Sequence, residues 1–287
     1  MTPRVDAHHH LWDLAVRDQP WTEGLPALRR SFALAELEPE LRKEGIDATV
    51  LVQTVDVAPE TPELLALAAA HPVVAGVVGW VDLTAPDVAD QLAALRAGPG
   101  GRGLVGVRHG VQSEPDPRWL CRADVRRGLA AVGAAGLVYD LLVVPAQLPA
   151  AVETVRALPG LRFVLDHAGK PNIAGGTEAD RARWAADIRA LGAEDNVVVK
   201  LSGLVTEADH GGWTPADIRP YAEQVLAAFG PDRTMFGSDW PVCLLAAEYG
   251  RVAELARDLI AALSEAERDA VLGATAARWY DLELDLR

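Results

Sequence analysis

Three consecutive histidines, His8-His9-His10, follow a short run, Arg4-Val5-Asp6-Ala7, that reads as a strand. Successive side chains on an extended backbone point to opposite faces. His8 and His10 therefore share one side and His9 takes the other. Two imidazoles two residues apart at a strand end can grip one metal ion or one substrate oxygen. Other polar residues recur in the same setting, at or beside the ends of apolar runs. They are Gln53, Arg108-His109, Asp140, Asp166-His167 with Gly169-Lys170-Pro171, Lys200-Leu201-Ser202-Gly203, and Ser238-Asp239-Trp240-Pro241. Lysine is rare, with only Lys43, Lys170 and Lys200 among 27 basic residues, so the two lysines in this set stand out. Four of the seven histidines belong to the set, whereas His71 and His210 do not and His9 faces away.

The elements that must position these residues alternate from end to end. The expected strands are Arg4–His8, Ala48–Gln53, Val73–Trp80, Gly103–Arg108, Leu137–Leu142, Arg162–Asp166, Asn196–Leu201 and Arg233–Gly237. Most are short, continuous and apolar, as strands buried on both faces should be. Helices are expected over Leu34–Glu44, Ala85–Leu95, Arg122–Ala134, Ala146–Ala157, Ala179–Leu191, Tyr221–Phe229 and Ala246–Ile260. Thr61-Pro62-Glu63, Thr214-Pro215 and Ser264-Glu265-Ala266-Glu267 read as helix starts, and Gly273 as a helix stop. Eight such alternations predict an α/β fold, a single distorted (β/α)8 TIM barrel spanning residues 1–287. No glycine-rich phosphate loop opens the first helix, which argues against an open doubly wound sheet. In a barrel of this kind the site lies at the C-terminal ends of the strands, where the polar set falls.

Composition narrows the partners. The 287 residues carry a net charge of −14, which disfavours nucleic acid, because phosphate neutralisation needs basic patches. No apolar stretch approaches the roughly 20 residues of a membrane helix, and no secretory signal pattern opens the chain. Cys121 and Cys243 fit no metal-ligand spacing, so a reducing cytoplasm is the expected compartment. A small-molecule substrate is the expected partner, with no nucleic acid and no membrane; a homo-oligomer is left open.

The motifs resemble those of the amidohydrolase superfamily, and within it amidohydrolase-related family 2 and its lactonase-type branch, whose members open sugar lactones. The matching segments are Val5-Asp6-Ala7-His8-His9-His10-Leu11-Trp12, Gly79-Trp80-Val81-Asp82-Leu83 and Gly106-Val107-Arg108-His109. They continue as Leu165-Asp166-His167-Ala168-Gly169-Lys170-Pro171, Lys200-Leu201-Ser202-Gly203-Leu204 and Phe236-Gly237-Ser238-Asp239-Trp240-Pro241. The resemblance implies that Asp239 takes a proton from the attacking water. It implies that His8, His10 and His167 either hold a divalent metal with Asp239 or hydrogen-bond the carbonyl oxygen directly. Arg108, His109, Lys200, Trp12 and Trp240 are then expected to contact substrate. Metal-pair members of the superfamily carry a bridging lysine or acid on strand 4 or 5. Here strand 4 offers Arg108-His109 and strand 5 offers Asp140, with no lysine on either, so a two-metal site with a carbamylated lysine is not expected; the expectation is no metal or one divalent ion, with zinc the best match to imidazole and carboxylate ligands. The implied activity is hydrolysis of a small sugar or sugar-acid lactone. The alternative is a metal-dependent decarboxylase of the same superfamily acting on an aromatic or unsaturated carboxylic acid. Specificity is expected from two segments after strands, Asp13–Arg30 and Val205–Trp213.

Overall fold

The computed structural model describes residues 2–284. Eight parallel strands form one sheet in sequence order. They are β1 (Val5–His9), β2 (Ala48–Val52), β3 (Val74–Gly79), β4 (Leu104–His109), β5 (Val138–Leu141), β6 (Phe163–Leu165), β7 (Val197–Leu201) and β8 (Thr234–Phe236). Eight helices follow the strands in turn: α1 (Leu34–Glu44), α2 (Glu60–Ala70), α3 (Val88–Ala97), α4 (Ala123–Ala134), α5 (Leu148–Ala157), α6 (Glu178–Gly192), α7 (Pro215–Phe229) and α8 (Tyr249–Leu259). The expected (β/α)8 barrel is therefore the fold, with every strand end within one residue of that read from the apolar runs. Among the described residues no helix is long and apolar enough to cross a membrane.

Two apolar layers follow from the strand alternation. One face of each strand packs outward on the helices, for example Val77, Val107, Tyr139 and Leu165. The other face fills the barrel interior with Val5, Ala7, Val50, Val138, Val164, Val198 and Met235. Beyond α8, α9 (Glu265–Asp269) and α10 (Thr275–Trp279) are joined by one π-helical stretch, Ala270–Ala274. Ala276 and Tyr280 from this C-terminal segment complete the interior layer.

β1 departs from simple alternation. Its register against β2 shifts between Asp6 and His9. Such a bulge lets one strand spend an extra residue and re-aim its side chains. Val5 and Ala7 belong to the interior layer, yet His8, the very next residue, also turns inward to Lys200 of β7. His9 packs outward, where its Nε2 meets the Thr49 hydroxyl at 2.9 Å. The barrel closes between β8 and β1 through residues just past the β8 ladder. Asp239 N–H donates to His8 O at 2.8 Å, and His10 N–H donates to Trp240 O at 2.7 Å.

Two terminus expectations are corrected. α2 begins at Glu60, not after a Thr61 cap. Thr61 is fully buried, and its hydroxyl accepts from Trp80 N at 2.7 Å while donating to Trp80 O at 3.0 Å. It fastens the helix to the end of β3 instead of capping it. Gly273 does not stop a helix but lies inside the π-helical stretch. A Cβ there would stand 1.8 Å from Pro3 O, so close backbone contact, not chain reversal, requires glycine. Ser264 caps as expected, accepting from Glu267 N at 3.3 Å.

Gly273→Ala should therefore destabilise the protein despite alanine's better helix propensity, since the clash is with backbone that cannot swing aside. Chemical denaturation should show a loss of about 1–3 kcal/mol or more; unchanged or raised stability would contradict the contact. His9 supplies a second prediction. Burial lowers its pKa to about 3. Below the ordinary value of about 6.5 the unfolded chain takes up a proton that the folded chain refuses. The stability His9 contributes is complete above that pH and drains away as pH falls toward 3. Melting temperature should decline across this window, and His9→Gln, which does not titrate, should decline less steeply.

Candidate active site

Four expected residues converge at the C-terminal end of the barrel. His8 comes from β1, His10 from the residue after it, His167 from the turn after β6 and Asp239 from the segment after β8. Asp239 Oδ1 lies 3.7 Å from His8 Nε2, 3.5 Å from His10 Nε2 and 3.8 Å from His167 Nε2. His8 Nε2 and His10 Nε2 are 3.1 Å apart. All four side chains are nearly inaccessible to solvent.

The local backbone is built to aim them. His167 and Asp239 both take left-handed φ values, 52° and 58°. Such conformations cost a non-glycine residue on the order of 1–3 kcal/mol each. Strand pairing on either side and the barrel-closing hydrogen bonds hold them in place. Gly203 φ is also left-handed, and a Cβ there would come within 2.6 Å of His167 Nδ1. That space lets the imidazole lie against the turn after β7, where His167 Nδ1 meets Ser202 Oγ at 2.9 Å. His10 Nδ1 donates to Val52 O at 2.8 Å, so its Nε2 presents a lone pair to the site when the ring is neutral.

Beneath the histidines lies a buried ionic layer. Lys200 Nζ donates to Asp140 Oδ2 at 2.6 Å, stands 3.0 Å from Asp166 Oδ1 and contacts His8 Nδ1 at 3.1 Å. Arg108 donates to Asp166 Oδ2 at 3.0 Å and to Gln53 O at 2.5 Å. Tyr280 OH reaches Asp140 at 2.7 and 2.9 Å. Burial disfavours the charged form of Asp166, but Lys200, His8 and Arg108 outweigh it and hold the carboxyl well below its usual range. Burial pushes Asp140 up to about 6 against the opposing pull of Lys200. Burial also lowers His167 to about 4, and burial with neighbouring Lys200 pushes His8 well down, so both rings are neutral near pH 7. At Asp239 burial opposes ionisation, yet His167, His10 and His8 prevail and hold it below the ordinary carboxylate range.

Above the floor opens a cavity of about 460 Å³. His10, Arg108, His167 and Asp239 line it. So do Pro20, Trp21 and Leu25 from the first expected specificity segment and Thr206, Glu207 and His210 from the second. The remaining expected contacts lie elsewhere. Lys200 is fully buried under His8, in the ionic layer and not on the cavity wall. His109 follows inward-facing Arg108 and so points away. It accepts from Trp80 Nε1 at 3.1 Å, meets Glu114 at 2.8 Å and stacks on Trp119 with ring centres 4.3 Å apart. Trp12 donates to Arg30 O at 2.6 Å and packs edge-on against Trp21 and Phe32, so it holds the first segment in place from behind. Trp240 packs against Phe32 below that segment. Asp166 was named with His167 at a polar strand end but given no role, and Tyr280 was not singled out from the sequence. Asp166 had a signal, since it immediately precedes His167 in a polar strand end; Tyr280 had none.

The donor chemistry fits one divalent ion. Ligand atoms of His8, His167 and Asp239 all lie within 4.8 Å of one another, and His10 Nε2 adjoins them. Imidazole nitrogens with a carboxylate oxygen suit zinc. Among the described residues this is the one cluster of histidine, cysteine and acid side chains close enough to hold a metal. Lys200 is committed to two carboxylates and bridges nothing, in keeping with a single-ion site.

The amidohydrolase family profile matches residues 5–282, nearly the whole chain. An L-fucono-1,5-lactonase of Burkholderia multivorans is 44% identical over 97% of this chain and 96% of its own length. A second L-fucono-1,5-lactonase, from Burkholderia ambifaria, is 41% identical over 87% of this chain and 84% of its own. A crystal structure of a Burkholderia multivorans amidohydrolase with bound zinc has a TM-score of 0.92 at 42% identity, covering 98% of this chain and 99% of that one. With eight strands in sequence order, a histidine–aspartate cluster where they end, and matches that run from the first strand to the last helix, the chain belongs to the amidohydrolase family.

Proposed function

We propose that this protein hydrolyses a neutral sugar lactone of the L-fucono-1,5-lactone class. The observation that carries the reading is an ionised, buried carboxylate ringed by three imidazoles at the floor of a cavity large enough for one sugar. The close lactonase relatives support the same reaction class.

The chemistry follows from the chain's own groups. Asp239 Oδ1 takes a proton from water as the water oxygen bonds to the lactone carbonyl carbon. The ring carbon–oxygen bond then breaks, and the departing alkoxide receives that proton. A carboxyl with a depressed pKa is a modest base, but once protonated it is a strong acid, so it readily passes the proton on. Negative charge growing on the carbonyl oxygen meets Nε2–H donors of His8 and His167 and the nearby Arg108 guanidinium, whereas neutral His10 offers a lone pair. A divalent ion held by His8, His10, His167 and Asp239 would polarise the carbonyl and acidify water. Ser202 and Val52 O orient His167 and His10 throughout.

Cavity charge favours a neutral substrate. Its lining arginine and lysine already have carboxylate partners: Arg108 with Asp166 at 3.0 Å and Lys170 with Glu207 at 2.8 Å. Asp56 adds a further acid to the wall. A lactone bearing a carboxylate, or the aromatic acid of a decarboxylase, would enter without a spare cation to receive it. Sugar hydroxyls, in contrast, can share the Lys170–Glu207 pair.

A panel of neutral sugar lactones, a carboxylate-bearing lactone and an aromatic carboxylic acid, read by pH indicator before and after chelator treatment, tests this. Turnover of neutral lactones is expected to exceed the others. Asp239→Asn should cut kcat on the best lactone by at least about 100-fold. His9→Ala, whose side chain faces the helices, should change turnover by no more than a few-fold in the folded enzyme. Decarboxylation without lactone hydrolysis, or near-normal turnover by Asp239→Asn, would overturn the reading.

A further inference from the structure

We propose that Lys200 is a positioning residue that fixes the tautomer of His8, keeping its proton on Nε2. A divalent ion can then settle beside His8 Nε2 only by turning the ring to its other tautomer.

The argument is a count of donors and acceptors. An ammonium only donates. Lys200 is fully buried and donates to Asp140 Oδ2 at 2.6 Å and to His8 Nδ1 at 3.1 Å. His8 Nδ1 must therefore accept, which leaves the proton of a neutral ring on Nε2. That Nε2–H has an acceptor at 3.1 Å, His10 Nε2. In a neutral His10 ring Nε2 is a lone pair, because His10 Nδ1 donates to the Val52 carbonyl at 2.8 Å. Lys200, His8, His10 and Val52 O thus form a one-way chain in which every bond has one donor and one acceptor.

The opposite tautomer has its own supports. His8 Nδ1–H would point to Asp166 Oδ1 at 3.3 Å, a buried oxygen that Lys200 Nζ also approaches at 3.0 Å. Nε2 would accept from Arg108 at 3.3 Å, although that guanidinium nitrogen already has Asp166 Oδ2 at 3.0 Å. This arrangement sets a Lys200 N–H against the His8 Nδ1–H. It also faces two Nε2 lone pairs at 3.1 Å, which repel unless a cation lies between them. Both contacts of the Lys200-selected tautomer are shorter than those of its rival. His8 is therefore a two-state ligand, held by Lys200 without a cation and by Asp166 with one. Asp140 secures Lys200, and Tyr280 at the opposite end of the barrel secures Asp140 at 2.7 and 2.9 Å.

The test reads the tautomer directly. Metal-stripped protein labelled with 15N-histidine would be examined by long-range 1H–15N NMR, with the His8 signals identified by their loss in His8→Gln. Protonated Nε2 and unprotonated Nδ1 are expected; a proton on Nδ1 in the metal-free wild type overturns the proposal, with no variant needed. Lys200→Met should move the proton to Nδ1. It should also tighten zinc binding, measured against a competing chromophoric chelator, by about tenfold or more, the usual size of a second-layer effect on a metal site. Zinc binding that is unchanged or weaker overturns the proposal, since simple damage to the site weakens it. On a neutral lactone, metal-free Lys200→Met should lose kcat with little change in KM. Only this last measurement rests on the lactonase reading: a silent lactone panel beside the expected spectrum and zinc affinity would sink that reading and leave the tautomer assignment standing.

Discussion

The site rests on a charged layer that cannot reach water. Lys200 stands between Asp140 and Asp166, and Arg108 covers the other oxygen of Asp166. Two carboxylates and two cations balance in charge. Removing each ion from water costs several kcal/mol, and only close, well-directed partners offset that. The consequence is rigidity. None of these side chains can turn without leaving a buried charge unpaired, a loss of about 3–5 kcal/mol. His8 sits directly on this layer, and the rest of the histidine ring sits on His8.

The second constraint is the closure of the barrel. β8 and β1 do not share a regular ladder. They are joined by Asp239 N–H to His8 O and His10 N–H to Trp240 O. Asp6 reinforces the seam by accepting from Ser238 N at 2.8 Å, His8 N at 3.1 Å and Tyr249 OH at 3.1 Å. Three residues of the cluster, His8, His10 and Asp239, are thus also the residues that shut the barrel. The hydrogen bonds that close the barrel at this seam also hold Asp239 in its left-handed backbone conformation.

Charge then divides the molecule's surfaces by task. The overall −14 leaves the exterior acidic. Within the cavity Arg108 and Lys170 are each paired with a carboxylate, Asp166 and Glu207. Segments 13–30 and 205–213 both line the cavity, and Trp12 packs against Trp21 of the first and against Phe32. Trp12 and Trp240 do not line that cavity and instead pack on Phe32.

Much of this was legible in the residues alone. Eight apolar runs buried on both faces could hardly be anything but parallel strands, and helical segments between them predicted the barrel. Polar residues at strand ends named His8, His10, His167, Asp239 and Arg108, since a barrel gathers strand ends at one mouth. Alternation separated His9 from its neighbours correctly. Local pattern could not reveal the bulge that turns both Ala7 and His8 inward, because register is a relation between two strands. It could not tell Arg108 from His109 as the cavity-lining member, nor place Lys200 beneath His8 instead of beside a substrate. Thr61 and Gly273 were misread for the same reason: their partners, Trp80 and Pro3, lie 19 and 270 residues away in the chain. Tyr280 left no trace in the sequence, because its role exists only where the last helix meets the barrel interior. Sequence fixes which groups exist and which way a strand presents them; only tertiary packing decides which buried donor meets which acceptor, because partners such as Lys200 and His8 stand 192 residues apart in the chain.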